Sequence, residues 1–378
     1  MTHYACREAQ SFASPQEAIH DLVADDVAIG PRRRVLLKDV AERANVSGST
    51  ASRALSDDPR ISAATRLTVK AAAADLHYVP NAAARSLRVR RTRTLGLLVP
   101  DLRDPVHGQV ASAFEQEARQ HGYSVIIVAG ENEPARERLA LRVFAEHGTD
   151  GVAIVSSVLS PKEARERVDQ DRLVLVQPDH KSLLRRDGPL YPGVIQTDDA
   201  GGVAAAVDHL VDHGYRRIAY VTGGARASNA VRAETVTTTL RRRGIRAPLR
   251  TFEASADAWR DPPELARAIA ADLPEALLCY DDKLALALMD GLRRLGIRVP
   301  RDVGIVGFDG IPFAAISNPR LTTVAVPSAA MGRVAASSLI RALLDGTLPD
   351  PVLLPPELIV RESTRTLPAP STGPGTGA

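Results

Sequence analysis

Hydrophobic residues recur with two different periods along this chain, and the period changes near Thr94. Between residues 35 and 78, apolar positions repeat every three or four residues, beginning with Leu37, Val40 and Ala44. That spacing is typical of amphipathic helices. Beyond Thr94, short apolar runs alternate with amphipathic stretches, which predicts parallel β-sheets covered by helices on both faces. This α/β pattern is too long for one sheet, so we expect a body made of two similar lobes.

Residues 35–61 predict two short helices joined by a tight turn. Asn45 lies at the turn, where one residue must adopt positive φ, and asparagine tolerates that conformation better than most residues. Ser47 can cap the second helix by accepting hydrogen bonds from N–H groups of its first turn. The outward face of that helix holds Gly48, Ser49, Ser52 and Arg53. Such a small, polar face suits the major groove of DNA, although periodicity alone is equally compatible with an ordinary helical hairpin.

A third helix is predicted over residues 62–76, with Ser62 as its N-terminal cap. We expect Leu67, Ala71 and Ala74 to pack on the first two helices. The three helices together would form a small N-terminal module.

Charge is distributed unevenly and coincides with this module. Residues 32–93 carry 14 Lys and Arg against 5 Asp and Glu, whereas the whole chain has a net charge of only +3. A basic module in an otherwise mildly acidic chain indicates a polyanionic partner.

Two N-terminal stretches carry specific motifs, LKDVAERANVSGSTASRAL and ISAATRLTVKAAAADLHYVPNAAARSLR. Together they resemble the DNA-reading head of the lactose-repressor (LacI) family. The resemblance implies a helix-turn-helix head whose DNA-binding residues are Ser47, Gly48, Ser49, Thr50, Ser52 and Arg53. It also implies a hinge helix that pairs with a second subunit in the minor groove, using Asn81, Ala84 and Leu87. Leu87 would wedge between base pairs. One departure is His77, which stands where the family usually has Gly.

The second part of the chain resembles the body of the same family, which is related to periplasmic binding proteins. The matching stretches are NPRLTTVAVPSAAMGRVAASSLI and LLPPELIVRES. The expected fold class is thus α/β, with an N-terminal three-helix head and hinge helix before a two-lobed, periplasmic-binding-protein-like body of parallel sheets. We expect five segments: a disordered arm (1–34), the helix-turn-helix head (35–80), the hinge helix and linker (81–93), the effector-binding and dimerisation body (94–365) and a disordered tail (366–378).

Candidate effector-binding residues follow the strands of the body. In open α/β sheets, ligands bind beyond the carboxyl ends of the strands. The candidates there are Asp104, His107, Gln177, Asp179, Arg232, Asp282 and Asp309. Converging acidic and arginine side chains can bind hydroxyl groups. The resemblance implies that Arg232 and Asp282 contact the effector, which in this family is usually a sugar or a nucleoside-like molecule.

The chain departs from the family pattern at this site. Val106 and His107 stand where the family commonly has an aromatic pair, and Asp281 stands where it commonly has Asn. Aromatic residues make up only 4% of the chain, so stacking on a sugar ring is poorly provided for, with Trp259 and Tyr280 as candidates. A sugar-like effector, a cationic effector and the absence of an effector therefore stay open at this point.

Several other classes of protein are disfavoured by the sequence. The two cysteines, Cys6 and Cys279, are too few for a disulfide framework. No apolar run reaches the length of a membrane span, and the N-terminus lacks the pattern of a secretory signal, so we expect a cytoplasmic protein. Phosphate-loop, nucleophile-elbow and zinc-protease motifs are absent, so we expect neither an enzyme nor a bound cofactor.

The sequence thus predicts a LacI-type transcription regulator, acting as a repressor. It would bind a pseudo-palindromic double-stranded operator as a homodimer, under control of a small, sugar-like effector. The competing hypothesis, from another class, is a small-molecule-binding protein without regulatory DNA binding; the basic head argues against it. The direction of the effector's action and the choice between dimer and tetramer stay open.

Overall fold

The computed structural model describes residues 35–78, 91–177, 192–224, 227–255 and 262–365. The chain divides into two compact units, Met1–Arg88 and Val89–Ala378, which we call the head and the body and describe separately. Both predicted terminal segments, 1–34 and 366–378, lie outside the described residues, as does most of the predicted hinge segment.

The described part of the head is formed by α1 (Leu37–Arg43), α2 (Gly48–Leu55) and α3 (Ala63–Asp75). Asn45 adopts a φ of 51° between α1 and α2. Ser47 Oγ accepts a hydrogen bond from the Thr50 N–H at 3.1 Å, and Ser62 Oγ accepts one from the Thr65 N–H at 3.2 Å. The predicted turn and both predicted helix caps are therefore confirmed.

The face of α3 that packs inward differs from the prediction. Leu67 is 72% exposed, and Ala71 and Ala74 also lie at the surface. Val69 and Ala73 are buried instead, against α1 and α2. The prediction was wrong because alanine stands on every side of α3, so its apolar periodicity does not single out one face.

The body is built from strands and helices that alternate along the chain. The strands are β1 (Thr94–Val99), β2 (Ser124–Ala129), β3 (Gly151–Val155), β4 (Leu173–Val176), β5 (Val194–Thr197), β6 (Ile218–Thr222), β7 (Arg250–Glu253), β8 (Ala276–Cys279), β9 (Gly304–Asp309), β10 (Thr322–Ala325), β11 (Val352–Leu354) and β12 (Glu357–Ile359). The helices are α4 (Pro105–Gln120), α5 (Pro134–Glu146), α6 (Pro161–Arg167), α7 (Asp199–Asp212), α8 (Ala227–Arg242), α9 (Pro263–Ala271), α10 (Asp282–Arg294) and α11 (Ser328–Asp345). Short 3₁₀ helices lie at Gln170–Arg172 and Pro312–Ala315.

Two six-stranded sheets define the two lobes of the body. Lobe 1 has the strand order β11-β5-β4-β3-β1-β2, and lobe 2 has the order β12-β10-β9-β8-β6-β7. The ladders are parallel except for the antiparallel pair of β10 and β12. Leu97 and Leu98 of β1 belong to different buried clusters, one around Phe114 and one around Phe144. Because successive strand residues point to opposite faces, the sheet of lobe 1 is covered on both sides, as the apolar runs predict.

Among the described residues, the chain passes between the lobes at three places. It leaves lobe 1 after β5, returns after β10, and crosses again between β11 and β12. Since β11 pairs with β5 and β12 pairs with β10, these crossings lie side by side. A hydrogen bond of 3.1 Å from the Asp198 N–H to the Leu354 carbonyl links two of them. The lobes are therefore joined along one edge of each sheet, and the carboxyl ends of the remaining strands border a cleft between the lobes.

Candidate DNA interface and effector cleft

The outward face of α2 in the head carries the residues predicted to bind DNA. Gly48, Ser49 and Arg53 are exposed, and Ser52 is half-buried. A Cβ atom added to Gly48 would have no atom within 4 Å, so this position offers an open, flat approach to the helix. An arginine at such a surface can bind guanine through two parallel hydrogen bonds, and serine can bond to several bases.

The first turn of α2 is held by a cluster of three hydroxyl groups. Ser47 Oγ lies 2.9 Å from both Ser49 Oγ and Thr50 Oγ1, while it accepts the backbone N–H of Thr50. These contacts fix the orientation of the hydroxyl groups at the end of the helix that enters a groove in helix-turn-helix proteins. The three predicted hinge residues, Asn81, Ala84 and Leu87, lie outside the described residues.

In the body, Arg232 is the buried centre of the cleft. It lies on α8 and is 6% exposed. Its Nε and Nη2 donate to Asp199 Oδ2 at 3.0 and 2.8 Å, and its Nη1 donates to the Tyr280 carbonyl at 2.6 Å. The guanidinium carbon stands 3.6 Å from the centre of the Phe308 ring and 4.8 Å from that of Tyr280. Burial alone would lower the pKa of Arg232, but the charge of Asp199 raises it above its ordinary value.

Gln177 fixes the acid that pairs with Arg232. Gln177 follows β4 with a φ of 45°, and its Nε2 donates to Asp199 Oδ1 at 3.2 Å. Its Oε1 accepts the Thr197 N–H at 2.8 Å, and the Thr197 hydroxyl donates to Asp199 Oδ1 at 2.5 Å. The structure thus brings Gln177 and Arg232 together through Asp199. Asp179, the other candidate after β4, lies outside the described residues.

Asp282 is fully buried in the first turn of α10. Its Oδ2 accepts the Ile311 N–H at 2.8 Å, and its Oδ1 accepts the Thr323 hydroxyl at 2.6 Å. Burial raises the pKa of Asp282 to about 7 against the effect of these hydrogen bonds. A Cβ at Gly307 would lie 2.0 Å from Oδ1, so this glycine is needed to admit the carboxylate. Asp282 therefore connects α10 to the segment after β9 and to β10, and its contact with an effector stays a prediction.

Asp309 occupies the border of the cleft at the end of β9. It is partly exposed and adopts a φ of 112°, which is unusual for a residue with a side chain. Burial and the charge of Asp281 raise the pKa of Asp309 well above its ordinary value, while Arg232 opposes that rise. Strained backbone of this kind concentrates at functional sites.

Asp104 and His107 approach the cleft from lobe 1. Asp104 caps α4, because its Oδ1 accepts the Val106 N–H at 2.9 Å. His107 Nδ1 lies 3.1 Å from the Asp101 carbonyl. Burial alone would raise the pKa of Asp104, but nearby His107 and Lys283 hold it below its ordinary value. Asp104 Oδ2 forms an ion pair with Lys283 of lobe 2.

The candidate effector-binding residues predicted from the sequence do not include Lys283. The sequence also does not predict that Asp199 pairs with Arg232. A signal for Lys283 exists in the sequence, since it stands in the first turn of α10, where the helix dipole disfavours a cation. A lysine at such a position needs nearby acids, and Asp281 and Asp104 supply them. No comparable signal identifies Asp199, because an acid near a helix N-terminus is commonly a cap.

Neither a metal site nor a membrane span emerges from the described ranges. No group of three or more His, Cys, Asp or Glu side chains there is arranged to hold a metal ion. None of the helices described is both long enough and apolar enough to cross a bilayer.

The head and body together define a helix-turn-helix protein with a two-lobed α/β ligand-binding unit. Residues 36–81 match the model of bacterial regulatory proteins of the lacI family, and residues 207–364 match a periplasmic binding protein-like domain. The chain is 30% identical over 339 residues to the transcriptional repressor PurR of Photobacterium profundum, covering 88% of this chain and 99% of PurR.

Solved structures show the same architecture over both units. The Lac repressor dimer bound to operator and the anti-inducer ONPF superposes with a TM-score of 0.79 at 25% identity, covering 88% of this chain and all of that one. The complex of the regulator CelR with cellobiose gives a TM-score of 0.62 at 26% identity over 87% of this chain and 100% of CelR. The chain belongs to the LacI family of bacterial regulatory proteins. It is a DNA-binding transcription regulator of that family, and the expected fold and family are confirmed.

Proposed function

We propose that this protein is a homodimeric transcriptional repressor that binds a pseudo-palindromic operator and responds to a small polar effector in the cytoplasm. The observation that carries the proposal is the exposed Gly48, Ser49 and Arg53 face on a correctly capped recognition helix. A two-fold protein fits two-fold DNA, so two such faces would read two half-sites. The Lac repressor, which has the same architecture, was solved as a dimer on its operator.

In this proposal, Arg53 reads guanine and Ser49 contacts a neighbouring base or phosphate. Gly48 permits close approach, and the hydroxyl groups of Ser47 and Thr50 order the first turn. Ser52 lies at the edge of the same face. Asn81, Ala84 and Leu87 would form the hinge that bends the centre of the operator, a role that rests on the sequence motif alone.

The effector would bind between the lobes of the body. Asp104, Asp309 and His107 border the cleft, and Arg232 with Gln177 forms its floor. Asp282 and Asp179 stay sequence-based candidates for contact with the effector. The structure of CelR with cellobiose supports a sugar-like molecule as the class of effector. The binding free energies of operator and effector are linked. The factor by which the effector changes the affinity for the operator must therefore equal the factor by which the operator changes the affinity for the effector.

Selection of bound duplexes from a random DNA pool tests the proposal. The purified chain should enrich one motif made of two inverted half-sites that share a guanine contact. Enrichment of a single unrepeated half-site would contradict the homodimeric arrangement. Recovery of the unselected pool without any motif would contradict sequence-specific regulation altogether.

A further inference from the structure

Lys283 connects the two lobes across the cleft. Its Nζ pairs with Asp104 of lobe 1 and lies 3.7 Å from Asp281 Oδ2 of its own lobe. Asp104 caps α4 and Asp281 caps α10, where Asp281 Oδ1 accepts the Leu284 N–H at 2.8 Å. Two capped helix N-termini, one from each lobe, therefore approach the same ammonium group.

The ammonium group of Lys283 offsets the negative charge of several carboxylates that surround it. Asp104, Asp281 and Asp309 all act on Lys283 and raise its pKa, although burial alone would lower it. Arg232, the buried cation on α8, is already bound to Asp199. Removing the charge of Lys283 would leave carboxylates of opposite lobes facing one another, and their repulsion would favour separation of the lobes.

The pair is also shielded from solvent more than an ordinary surface pair. The side chains of Lys283 and Asp104 are 26% and 13% exposed. By contrast, Lys162 and Glu166 form an exposed pair within α6, at 88% and 58% exposure. Partial burial weakens screening by water and salt, so the attraction between Lys283 and Asp104 is stronger than that within an exposed pair.

We propose that Lys283 is a residue of the effector cleft that locks the lobes together when no effector is bound. To bind in the cleft, an effector has to displace Lys283 from Asp104 or insert between the two side chains and contact both. Lys283 therefore determines which effectors the cleft accepts: a ligand must offer Asp104 hydrogen-bond donors or a positive charge in place of the ammonium. The selective role rests on the proposed effector site, whereas the lock itself can be measured without any effector or DNA.

The experiment measures the distance between the lobes by single-molecule energy transfer in the full-length protein. Donor and acceptor dyes are attached at Glu146→Cys in lobe 1 and Arg267→Cys in lobe 2, both exposed positions. Cys6 is replaced by serine, and Cys279 stays because it is buried and burial raises the pKa of its thiol well above the ordinary value. Molecules with high energy transfer are counted as closed and those with low energy transfer as open. The ratio of closed to open molecules is then recorded for each variant without effector.

We expect Lys283→Met to lower the closed-to-open ratio about tenfold, within the range of coupling between contacting charged residues. Lys283→Arg should restore most of the closed population, since it keeps the charge. Lys162→Met is the matched control and should leave the ratio unchanged. A ratio for Lys283→Met equal to that of Lys162→Met would overturn the proposal.

A double-mutant cycle assigns the effect to the partner in lobe 1. Asp104→Asn keeps an oxygen to cap α4 but loses the charge, so it should also open the lobes. The double variant Asp104→Asn with Lys283→Met should be no more open than Lys283→Met alone; additive effects would show that the two residues do not act on each other. DNA binding by the unsubstituted protein and by the same variants is measured separately, with a selected duplex. Failure of the unsubstituted protein to bind that duplex would refute the proposed function, but it would not bear on the role of the Lys283–Asp104 pair.

Discussion

At the scale of single residues, the cleft is organised by buried charges whose partners lie far away in sequence. The sequence identifies Arg232 through its family motif and Asp309 through its place at the end of a strand. It does not identify Asp199 as the partner of Arg232, because that contact depends on how α7 packs against α8. It names Asp282 rather than Asp281 only through the family resemblance, and it does not indicate that Asp282 is buried while Asp281 caps α10.

Arg232→Ala should strongly destabilise the body because it leaves Asp199 buried without its charge partner. We expect a loss of about 3–5 kcal/mol in the free energy of unfolding, as for other broken buried pairs. The control is Arg138→Ala, which removes an exposed pair with Glu163 and should cost less than about 1 kcal/mol. Urea titration followed by circular dichroism measures both. Similar losses for the two variants would show that the Arg232 pair is not a structural element of the cleft.

Asp282 should give the body a specific dependence of stability on pH. Its pKa is about 7 in the folded protein against 3.8 as the ordinary value, so the folded state prefers the protonated acid. The stabilisation from the neutral acid is fully present below pH 3.8 and is lost as the pH rises through about 7. Asp282→Asn removes this titration: its Oδ1 can accept the Ile311 N–H, and its side-chain N–H can donate to the Thr323 hydroxyl oxygen, which reverses the second bond. The difference in unfolding free energy between wild type and variant should therefore shift in favour of the variant between about pH 4 and pH 7. A constant difference over that range would exclude the raised pKa.

At the scale of elements, apolar periodicity identifies the long helices and the buried strands. The strands β7, β11 and β12 are not apparent from periodicity, because they are short and lie at the sheet edges where polar residues are tolerated. The turn after α3 is another informative case: His77 adopts a φ of 50°, as expected for a position where the family usually has Gly. The inward face of α3 could not be predicted, because an alanine-rich helix has no distinct apolar stripe.

The contact between α4 and α11 depends on Gly332. A Cβ there would lie 2.2 Å from the Val110 carbonyl oxygen and 3.0 Å from the Phe114 nitrogen, both backbone atoms. Gly332→Ala must push the helices apart, and we expect it to cost about 1–3 kcal/mol of stability. Gly108 of α4 is the matched control, since its nearest atom to a Cβ lies at 4.0 Å. Gly108→Ala should be neutral or stabilising in thermal unfolding; equal destabilisation by both substitutions would show that close helix contact is not the cause.

At the scale of the whole molecule, the two-lobed body follows from the number of alternating runs, but the three crossings between lobes do not. β11 returns to lobe 1 after β10 has completed lobe 2, and nothing in the local sequence of β11 indicates its partner β5. Side-by-side crossings would let the two lobes rotate relative to each other about one edge of the body.

Leu87→Ala tests the predicted role of the hinge segment, which rests on sequence alone. A wedge is useful only where the operator centre is deformable, so the variant should lose more affinity for a selected operator than for a scrambled duplex. Arg90→Ala removes one cationic side chain of the basic stretch 32–93, so it should weaken both complexes about equally. Equal losses for Leu87→Ala on the two duplexes would exclude the wedge.

The central claim is that two copies of the head read one duplex through the α2 face. The most direct test is a fluorescence anisotropy titration at fixed salt. It compares a selected operator with a scrambled duplex of equal length, and it gives both the affinity and the number of chains bound per duplex. We predict two chains per operator, a preference of about a thousandfold or more over the scrambled duplex, and loss of about 1–3 kcal/mol of discrimination in Arg53→Ala. One chain per duplex, or equal affinity for both sequences, would contradict the account.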